Sequence, residues 1–459
     1  MDTLTLCGWS AYHMLRVPPA ALWLAMLACA DILRSPSAYP YRKAEVLLAQ
    51  LGAQGPLEVC VPRDASRPNS PRARGLVRTL PPQTIPSACV NHRVPGDVRA
   101  YAGLDRLPFR VTSPEMTLLT LAPALGPERL ALAASELMGS FCVFEPPPRL
   151  QLALARACGR EAALADVAIG ARPAVGAEPG AGMRPAFGTR PVSDTRSAPG
   201  MRPSSEPGLS AAWGAAAATH AAEARGAGPC DRSTWECAHL PPSIRREARR
   251  GGWRQVPDPN GVPTNLWRRS PLLNPARLDL LLRQTAGCHG SGILRQAARL
   301  AVPHAASPFE VQAALLLGLP RRLGGEGLGG PACNRKVALS PGARLIARQS
   351  TCYCDLYFSG DGPGRDLAVE CHSHIWHDYS ERKRISDASR AAGLASMGID
   401  VLLLTHATMG DDRAFAEFAR LAREKLGLRR CEKSQELEER RQRLRSALLG
   451  VRSWKTFGP

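Results

Sequence analysis

Asp355 and Glu370 lie fifteen residues apart, on either side of a turn. The first flank reads Cys352-Tyr353-Cys354-Asp355-Leu356-Tyr357-Phe358 and the second Leu367-Ala368-Val369-Glu370-Cys371. Between them runs Ser359-Gly360-Asp361-Gly362-Pro363-Gly364, so the pattern predicts strand, turn, strand. A hairpin folded about Gly362–Pro363 sets Asp355 opposite Glu370 on one face of a sheet. Pro363 is ill suited to a two-residue turn, so a wider loop is expected and only the parity of the register follows. Two carboxylates this close repel unless a cation lies between them, and an oxygen-rich pair suits Mg²⁺ or Mn²⁺. The same residues also read as a hairpin with two solvated acids.

The second strand runs directly into Glu370-Cys371-His372-Ser373-His374-Ile375-Trp376-His377. A helix is expected from near Ser380, carrying Arg382, Lys383, Arg384, Asp387 and Arg390, and ending at Gly398 as a C-terminal cap. Ile399–Thr405 is an apolar run of strand length. Upstream, Ser307-Pro308-Phe309-Glu310 opens a helix, with Ser307 and Glu310 spaced as a capping box and Pro308 at the first helical position. The block reads helix, strand, strand, helix, strand.

Residues 305–430 resemble the restriction-endonuclease-like superfamily, the PD-(D/E)XK nucleases, and within it the small domains related to very-short-patch-repair endonucleases. The resemblance rests on Glu310, Asp355, Glu370, His377, Asp387, Arg390, Gly398 and Thr405, which follow the family's order of acid, strand Asp, strand Glu, His, helical Asp and Arg, Gly and Thr. It implies metal-assisted phosphodiester hydrolysis. Asp355, Glu370 and the carbonyl of Cys371 would hold Mg²⁺ (or Mn²⁺), and Glu310 would act through the metal's water shell. Arg382, Lys383 and Arg384 become the candidate nucleic-acid contacts. The chain departs from the pattern at His372-Ser373, where these relatives carry Asp-Gly; His372 stands where the superfamily often has its catalytic Lys. An imidazole could orient or deprotonate a water, but it supplies no fixed positive charge. A rival reading gathers Cys352, Cys354, Cys371, His372, His374 and His377 into a zinc site, although strand alternation turns Cys352 and Cys354 away from Asp355 and towards a core.

A chain of 459 residues is long enough for two or three domains. Its fourteen cysteines are scattered without disulfide-like spacing, which suits a reducing cytoplasm. The net charge of +19 favours a polyanionic partner, DNA first. With only six lysines among 59 basic residues in an Ala-, Gly-, Pro- and Arg-rich chain, part of that charge reflects genomic composition. Val17–Ala30 imitates an export signal but is too short to span a bilayer and is interrupted by Pro18-Pro19; a buried helix is expected, with no membrane association.

The expected fold class is α/β: a restriction-endonuclease-like domain at 275–430, built as a mixed sheet flanked by helices, and a separate N-terminal α+β domain at 1–158. In the N-terminal part, Leu57–Val61 reads as a strand before a basic, Pro-rich loop with Arg63, Arg67, Arg72 and Arg74. Thr112 and Glu115 read as a second capping box. This stretch, through Glu136-Leu137-Met138-Gly139, resembles a region of actinobacterial proteins that also carry the nuclease-like domain, and more remotely AbiEi-type antitoxins, which are transcriptional regulators. Residues 159–270 read as a largely disordered linker in which Gly-Met-Arg-Pro occurs twice, at 182–185 and 200–203. Within it Trp253 and Trp267 lie among Arg245, Arg246, Arg249, Arg250 and Arg254, a mixture that could stack on bases and grip phosphate. The tail at 431–459 alternates acids and arginines, as expected of an exposed helix that could also dock a protein partner. Two functions fit: a metal-dependent DNA endonuclease of repair or defence, or an inactive nuclease fold kept as an antitoxin-like, DNA-binding regulator.

Overall fold

The computed structural model describes residues 4–61, 73–77, 89–90, 107–157, 240, 242–258, 263–360, 365–372, 381–429 and 434–450. Most of the Arg-Pro-rich stretch and its repeats, His374, His377 and the turn at Gly362–Pro363 lie outside these residues, as do Arg63, Arg67 and Arg72. The protein mixes helices and strands in mixed sheets, as an α/β class requires.

The N-terminal part begins with β1 (Thr5–Leu6), α1 (Gly8–Leu15) and α2 (Pro19–Ala28). Helix α2 buries Ala20, Ala21, Ala25 and Met26. No described helix is long and apolar enough to cross a membrane. Strands β2 (Leu57–Val61), β3 (Ala73–Val77), β4 (Cys89–Val90) and β5 (Arg110–Thr112) join β1 in the order β3-β2-β1-β5-β4. Arg74 thus lies in a strand rather than in the expected loop. Helices α3 (Pro114–Leu121) and α4 (Pro127–Met138) follow, then β6 (Phe141–Val143). The cap of α3 is Ser113, whose hydroxyl accepts from the Met116 N–H at 3.4 Å; Thr112, expected in that role, ends β5 and bonds the Thr117 hydroxyl at 2.8 Å.

The expected linker boundary at 270 does not hold. Residues 242–268 form α5 (Pro242–Arg250), β7 (Arg254–Pro257) and β8 (Pro263–Arg268). The last two join β6 in a three-stranded antiparallel sheet ordered β6-β8-β7. Composition hid this because the anchoring residues are few: Ile244 and Trp267 are buried in the N-terminal core, and one face of a short strand suffices to hold the pairing.

After α6 (Pro275–Gln284) and α7 (Ser291–Leu300) comes α8 (Pro308–Gly318), which is buried on every side from Phe309 onward. A helix apolar all round must be enclosed. It packs against α4 on one side and, on another, against the sheet of β9 (Ala332–Ala338), β10 (Thr351–Phe358), β11 (Asp366–His372) and β12 (Ile399–Thr405). The sheet order is β12-β11-β10-β9, with β9, β10 and β11 antiparallel and β12 parallel to β11. The sequence reading missed β9 and the short α9 (Pro341–Ala347) before β10. The crossover from β11 to β12 is α10 (Glu381–Ala395), closed by Gly398 at φ 79°. Helix α11 (Asp412–Lys425) and the tail helix α12 (Gln435–Leu449) complete the described chain.

One buried core includes Leu130, Leu132 and Leu137 of α4, Leu278 of α6, Leu294 of α7, most of α8, Leu356 and Phe358 of β10, and Leu444 and Leu448 of α12. From the N-terminal half, Tyr12, Leu15 and the residues of α3 and α4 join this core, while residues such as Met26, Leu47, Val59 and Phe109 pack in a second core. Backbone bonds tie the halves together: Ser140 N–H donates to the Ala305 carbonyl at 2.8 Å, and Leu273 N–H to that of Leu137 at 2.9 Å. The tail helix is docked on its own chain, against the expectation of a solvated face. Gln312 Nε2 donates to the Leu448 carbonyl at 2.8 Å, and Arg441 and Arg445 pair with Glu326 and Asp412, each at 2.7 Å. Its outer face keeps the expected i,i+4 pair between Glu436 and Arg440. Truncating Leu444 or Leu448 to Ala is expected to cost about 2–4 kcal/mol. Replacing the exposed Gln442 by Ala should cost under about 0.5 kcal/mol, both effects being read from urea unfolding.

Candidate active site

The β10–β11 pairing places Leu356 opposite Val369, Tyr357 opposite Ala368 and Phe358 opposite Leu367. Continued by one residue, the same register sets Asp355 opposite Glu370. The ladder opens there. The Cys371 N–H turns out of it to donate to Asp355 Oδ2 at 2.8 Å. On the other side of β10, Asp355 faces Asn334 of β9, which has the left-handed φ of 50° that Asn tolerates better than most residues. The pleat slips at this point. Cys352 and Cys354 pack in a small core with Tyr357 and Ala368, while Leu356 and Phe358 pack in the large one. Asp355 is the residue at which the alternation changes side, so its carboxylate emerges where the strands part.

Glu310 reaches the same place from the first turn of α8. The Ser307 hydroxyl accepts from the Glu310 N–H at 3.2 Å and donates to Oε1 at 2.9 Å, which is the expected cap. The other oxygen, Oε2, accepts from the Ala306 N–H and from Asn334 Nδ2, each at 2.7 Å. The cap and the acidic cluster are therefore one arrangement, and the two roles weighed for Glu310 do not compete. With both oxygens bonded to donors, Glu310 is an anchored charge beside Asp355.

Glu370 is 4% exposed. Its Oε2 is bound by Arg390 Nη2 at 2.8 Å, and Arg390 Nη1 reaches the Tyr353 carbonyl at 3.1 Å. Asp387, one turn earlier on α10, lies 3.9 Å from the same guanidinium. Among the described residues, buried Glu370 Oε1 has no hydrogen-bond partner. His372 ends β11, half-buried opposite Thr405, near enough to Asp355 to favour its ionised form. The backbone of Arg382, Lys383 and Arg384 lies in α10, and their side chains are outside the described residues.

Charge in this cluster does not balance. Burial, then Asp355, push both Glu310 and Glu370 up from 4.5 to about 7. Asp355 is raised by burial, against the opposing pull of the Cys371 N–H, Arg390, Arg268 and His372. Burial works against the charge of Arg390, yet Glu370 and Asp387 hold its pKa above the ordinary value. Three carboxylates thus meet the guanidinium groups of Arg390 and Arg268. At neutral pH the excess negative charge must be met by a proton or a bound cation.

The unpartnered Glu370 Oε1 and the carboxylate of Asp355 fit a hard divalent cation, which commonly takes only one or two protein carboxylates and keeps its waters. Among the described residues, no group of three or more His, Cys, Asp or Glu side chains forms a closed metal set. The six residues of the zinc reading are divided. Cys352 and Cys354 lie in the small core beneath α10, Cys371 packs against the large one, and His374 and His377 are outside the described residues.

Arg268 and Asn334 belong to the site although the sequence reading did not select them. Arg268 lay in what read as linker, and nothing in the local sequence marks Asn334. Compared with protein-family models, with curated proteins and with solved structures, the chain finds no match.

Because the native pKa values of Glu310 and Glu370 lie above the unfolded ones, the folded state binds more protons between about pH 4.5 and 7. The metal-free protein should therefore lose stability as pH rises through that window and level off above it. Mg²⁺ should raise the melting temperature at pH 8 and have little effect at pH 5. A flat stability profile from pH 4.5 to 8 would count against the charge imbalance.

Proposed function

We propose that this protein is a metal-dependent DNA endonuclease of the restriction-endonuclease-like class, hydrolysing phosphodiester bonds at the Glu310–Asp355–Glu370 cluster. The observation that carries the reading is the buried oxygen of Glu370 that has no partner among the described residues, beside Asp355 in a cluster holding more carboxylates than guanidinium groups. The order of elements supports it as well. An acid on a helix, an Asp on a strand, a Glu on the next strand, an Asp and an Arg on a helix, then Gly398 and an apolar strand ending at Thr405 are what the sequence resemblance implies.

Asp355 and Glu370, with the carbonyl of Cys371, would hold Mg²⁺ or Mn²⁺. The bound ion supplies Lewis-acid polarisation of a phosphate oxygen and a lowered pKa for the attacking water. Arg390 fixes the Glu370 carboxylate through one oxygen, leaving the other available, and brings the permanent positive charge that His372 lacks. His372, at the end of β11, would orient or deprotonate the water. Glu310, whose proton affinity burial and Asp355 raise to about 7, would become fully ionised once a cation sits beside the cluster.

The full chain, with its shared core intact, should nick supercoiled plasmid in Mg²⁺ or Mn²⁺ and not in EDTA. Asp355→Ala and Glu370→Ala should each lower the rate by about 10²-fold or more. Arg390→Ala, which removes a partner of a metal ligand, should cost about 10- to 100-fold. DNA binding without cleavage by a folded wild-type protein would instead support the inactive, antitoxin-like regulator, the reading favoured by His372-Ser373.

A further inference from the structure

The four-stranded sheet changes character at Asp355. Leu356 and Phe358 of β10 and Cys333 of β9 lie in the large core, on the face that α8 covers. On the other side of Asp355 that cover ends. Cys352 and Cys354 are buried in the small core beneath α10, so the side chain between them, Tyr353, points to the opposite face, where it is 48% exposed. The register of β9 and β10 sets Lys336 directly opposite Tyr353, and Ala338 opposite Thr351. Lys336 and Ala338 are exposed as well. This open end of the face therefore carries one aromatic ring and one ammonium group between two small neighbours. Among the described residues, neither the Tyr353 ring nor the Lys336 ammonium takes a hydrogen bond, an ion pair or a ring contact.

The ring is tied to the acidic cluster. Arg390 donates through Nη1 to the Tyr353 carbonyl at 3.1 Å and through Nη2 to Glu370 Oε2 at 2.8 Å, so one guanidinium fixes both. Tyr353 precedes Asp355 by two residues, about 7 Å along a strand. Lys336 stands two residues from Asn334, whose side chain binds Glu310 at 2.7 Å. A nucleic-acid strand crossing Tyr353 reaches the carboxylates within about one or two nucleotides. The tryptophans that the sequence offers for stacking lie elsewhere: Trp267 is 1% exposed in the core, and Trp253 is partly buried, with the Arg269 guanidinium 6.0 Å from its ring. Among the described residues the exposed large aromatics are Tyr39, Tyr41 and Tyr353, and of these only Tyr353 stands on the sheet of the acids.

We infer that Tyr353 and Lys336 seat an unpaired nucleotide beside the acidic cluster, with the base on the Tyr353 ring and its phosphate on Lys336. In a closed duplex each base is covered by its neighbours, and only an unstacked base can lie on a side-chain ring. The site therefore takes single-stranded DNA, or duplex whose strands have parted, in preference to closed duplex. Every base has a π-face, so this contact discriminates strand form and is tolerant of sequence. The inference deepens the proposed activity and rests on its choice of a DNA phosphodiester as substrate. Nicking of a supercoiled plasmid would begin where its strands part.

Fluorescence anisotropy of the full-length protein in EDTA tests this with three fluorescein-labelled ligands: a single strand of about 15 nucleotides, the blunt duplex of the same sequence, and an equally long strand of abasic sites. The single strand should bind more tightly than the duplex. Tyr353→Ala should weaken single-strand binding by about 5- to 100-fold, keep the wild-type slope of log K against log[NaCl], and make little difference on the abasic strand. Tyr353→Phe, which keeps the ring, should retain most of the affinity. Lys336→Gln should flatten the slope by about 0.7, and Arg443→Gln, an exposed control on α12, should leave slope and affinity unchanged. Thermal melts establish folding, and the slope in Lys336→Gln keeps the test decisive if Tyr353→Ala unfolds. Tighter binding of the duplex, wild-type affinity in folded Tyr353→Ala, an equal loss on the abasic strand, a wild-type slope in Lys336→Gln, or no DNA binding by the folded wild type would overturn the inference. Metal-dependent cleavage with unchanged binding in these variants would leave the nuclease standing without this surface. The expected binding changes without cleavage in Mg²⁺ or Mn²⁺ would leave the surface standing without the nuclease.

Discussion

Glu310, Asp355 and Glu370 come from one helix and two strands and meet in a partly dry site with Arg268 and Arg390 as counterions. Left to itself, such a cluster would separate or hold a proton. Each carboxylate is instead pinned by short, directional bonds: a capping box and Asn334 for Glu310, the Cys371 N–H for Asp355, Arg390 for Glu370. Because the pinning groups are backbone amides or partly buried side chains held by their own elements, the carboxylates can relax little. Burial, and then repulsion from Asp355, therefore raise the proton affinity of Glu310 and Glu370 to about 7 each. The same imbalance is what a divalent cation would relieve.

Holding that arrangement requires a scaffold larger than the four-stranded sheet. Helix α8 is enclosed by the sheet, by α4 from the N-terminal half and by α12 from the tail, so Glu310 is fixed by packing contributed from three distant parts of the chain. The three-stranded sheet of β6, β8 and β7 does comparable work on the basic side. It ties residues that read as linker to the end of α4 and carries Arg268 to the start of α8. The N-terminal half thus contributes to the site's walls as well as to the core.

The local elements around the cluster were legible because each rests on short-range chemistry. Apolar and aromatic runs about a Gly/Pro turn gave the β10–β11 hairpin, Ser307-Pro308 and Glu310 gave the start of α8, and Gly398 gave the end of the α10 crossover, where a left-handed residue is needed. Three other features were hidden. Strand β9 pairs through backbone, and its alternation is broken at Asn334. Residues 242–268 have a composition dominated by arginine, and a few buried side chains decide their structure. The tail helix displays charge along its length and buries only Leu444 and Leu448.

By itself the sequence determined the residue types that could do chemistry, the hairpin that sets Asp355 near Glu370, the helix that presents Glu310 and the mixed α/β class, since caps, turns and periodicity are written within a few residues of one another. Only the tertiary structure decided that α3 and α4 enter the core of the sheet-bearing half, that Arg268 and Arg390 are the cationic neighbours of the cluster, and that, among the described residues, one oxygen of Glu370 has no partner. Burial and charge balance depend on groups brought together from opposite ends of the chain, and no local pattern encodes which of them will meet.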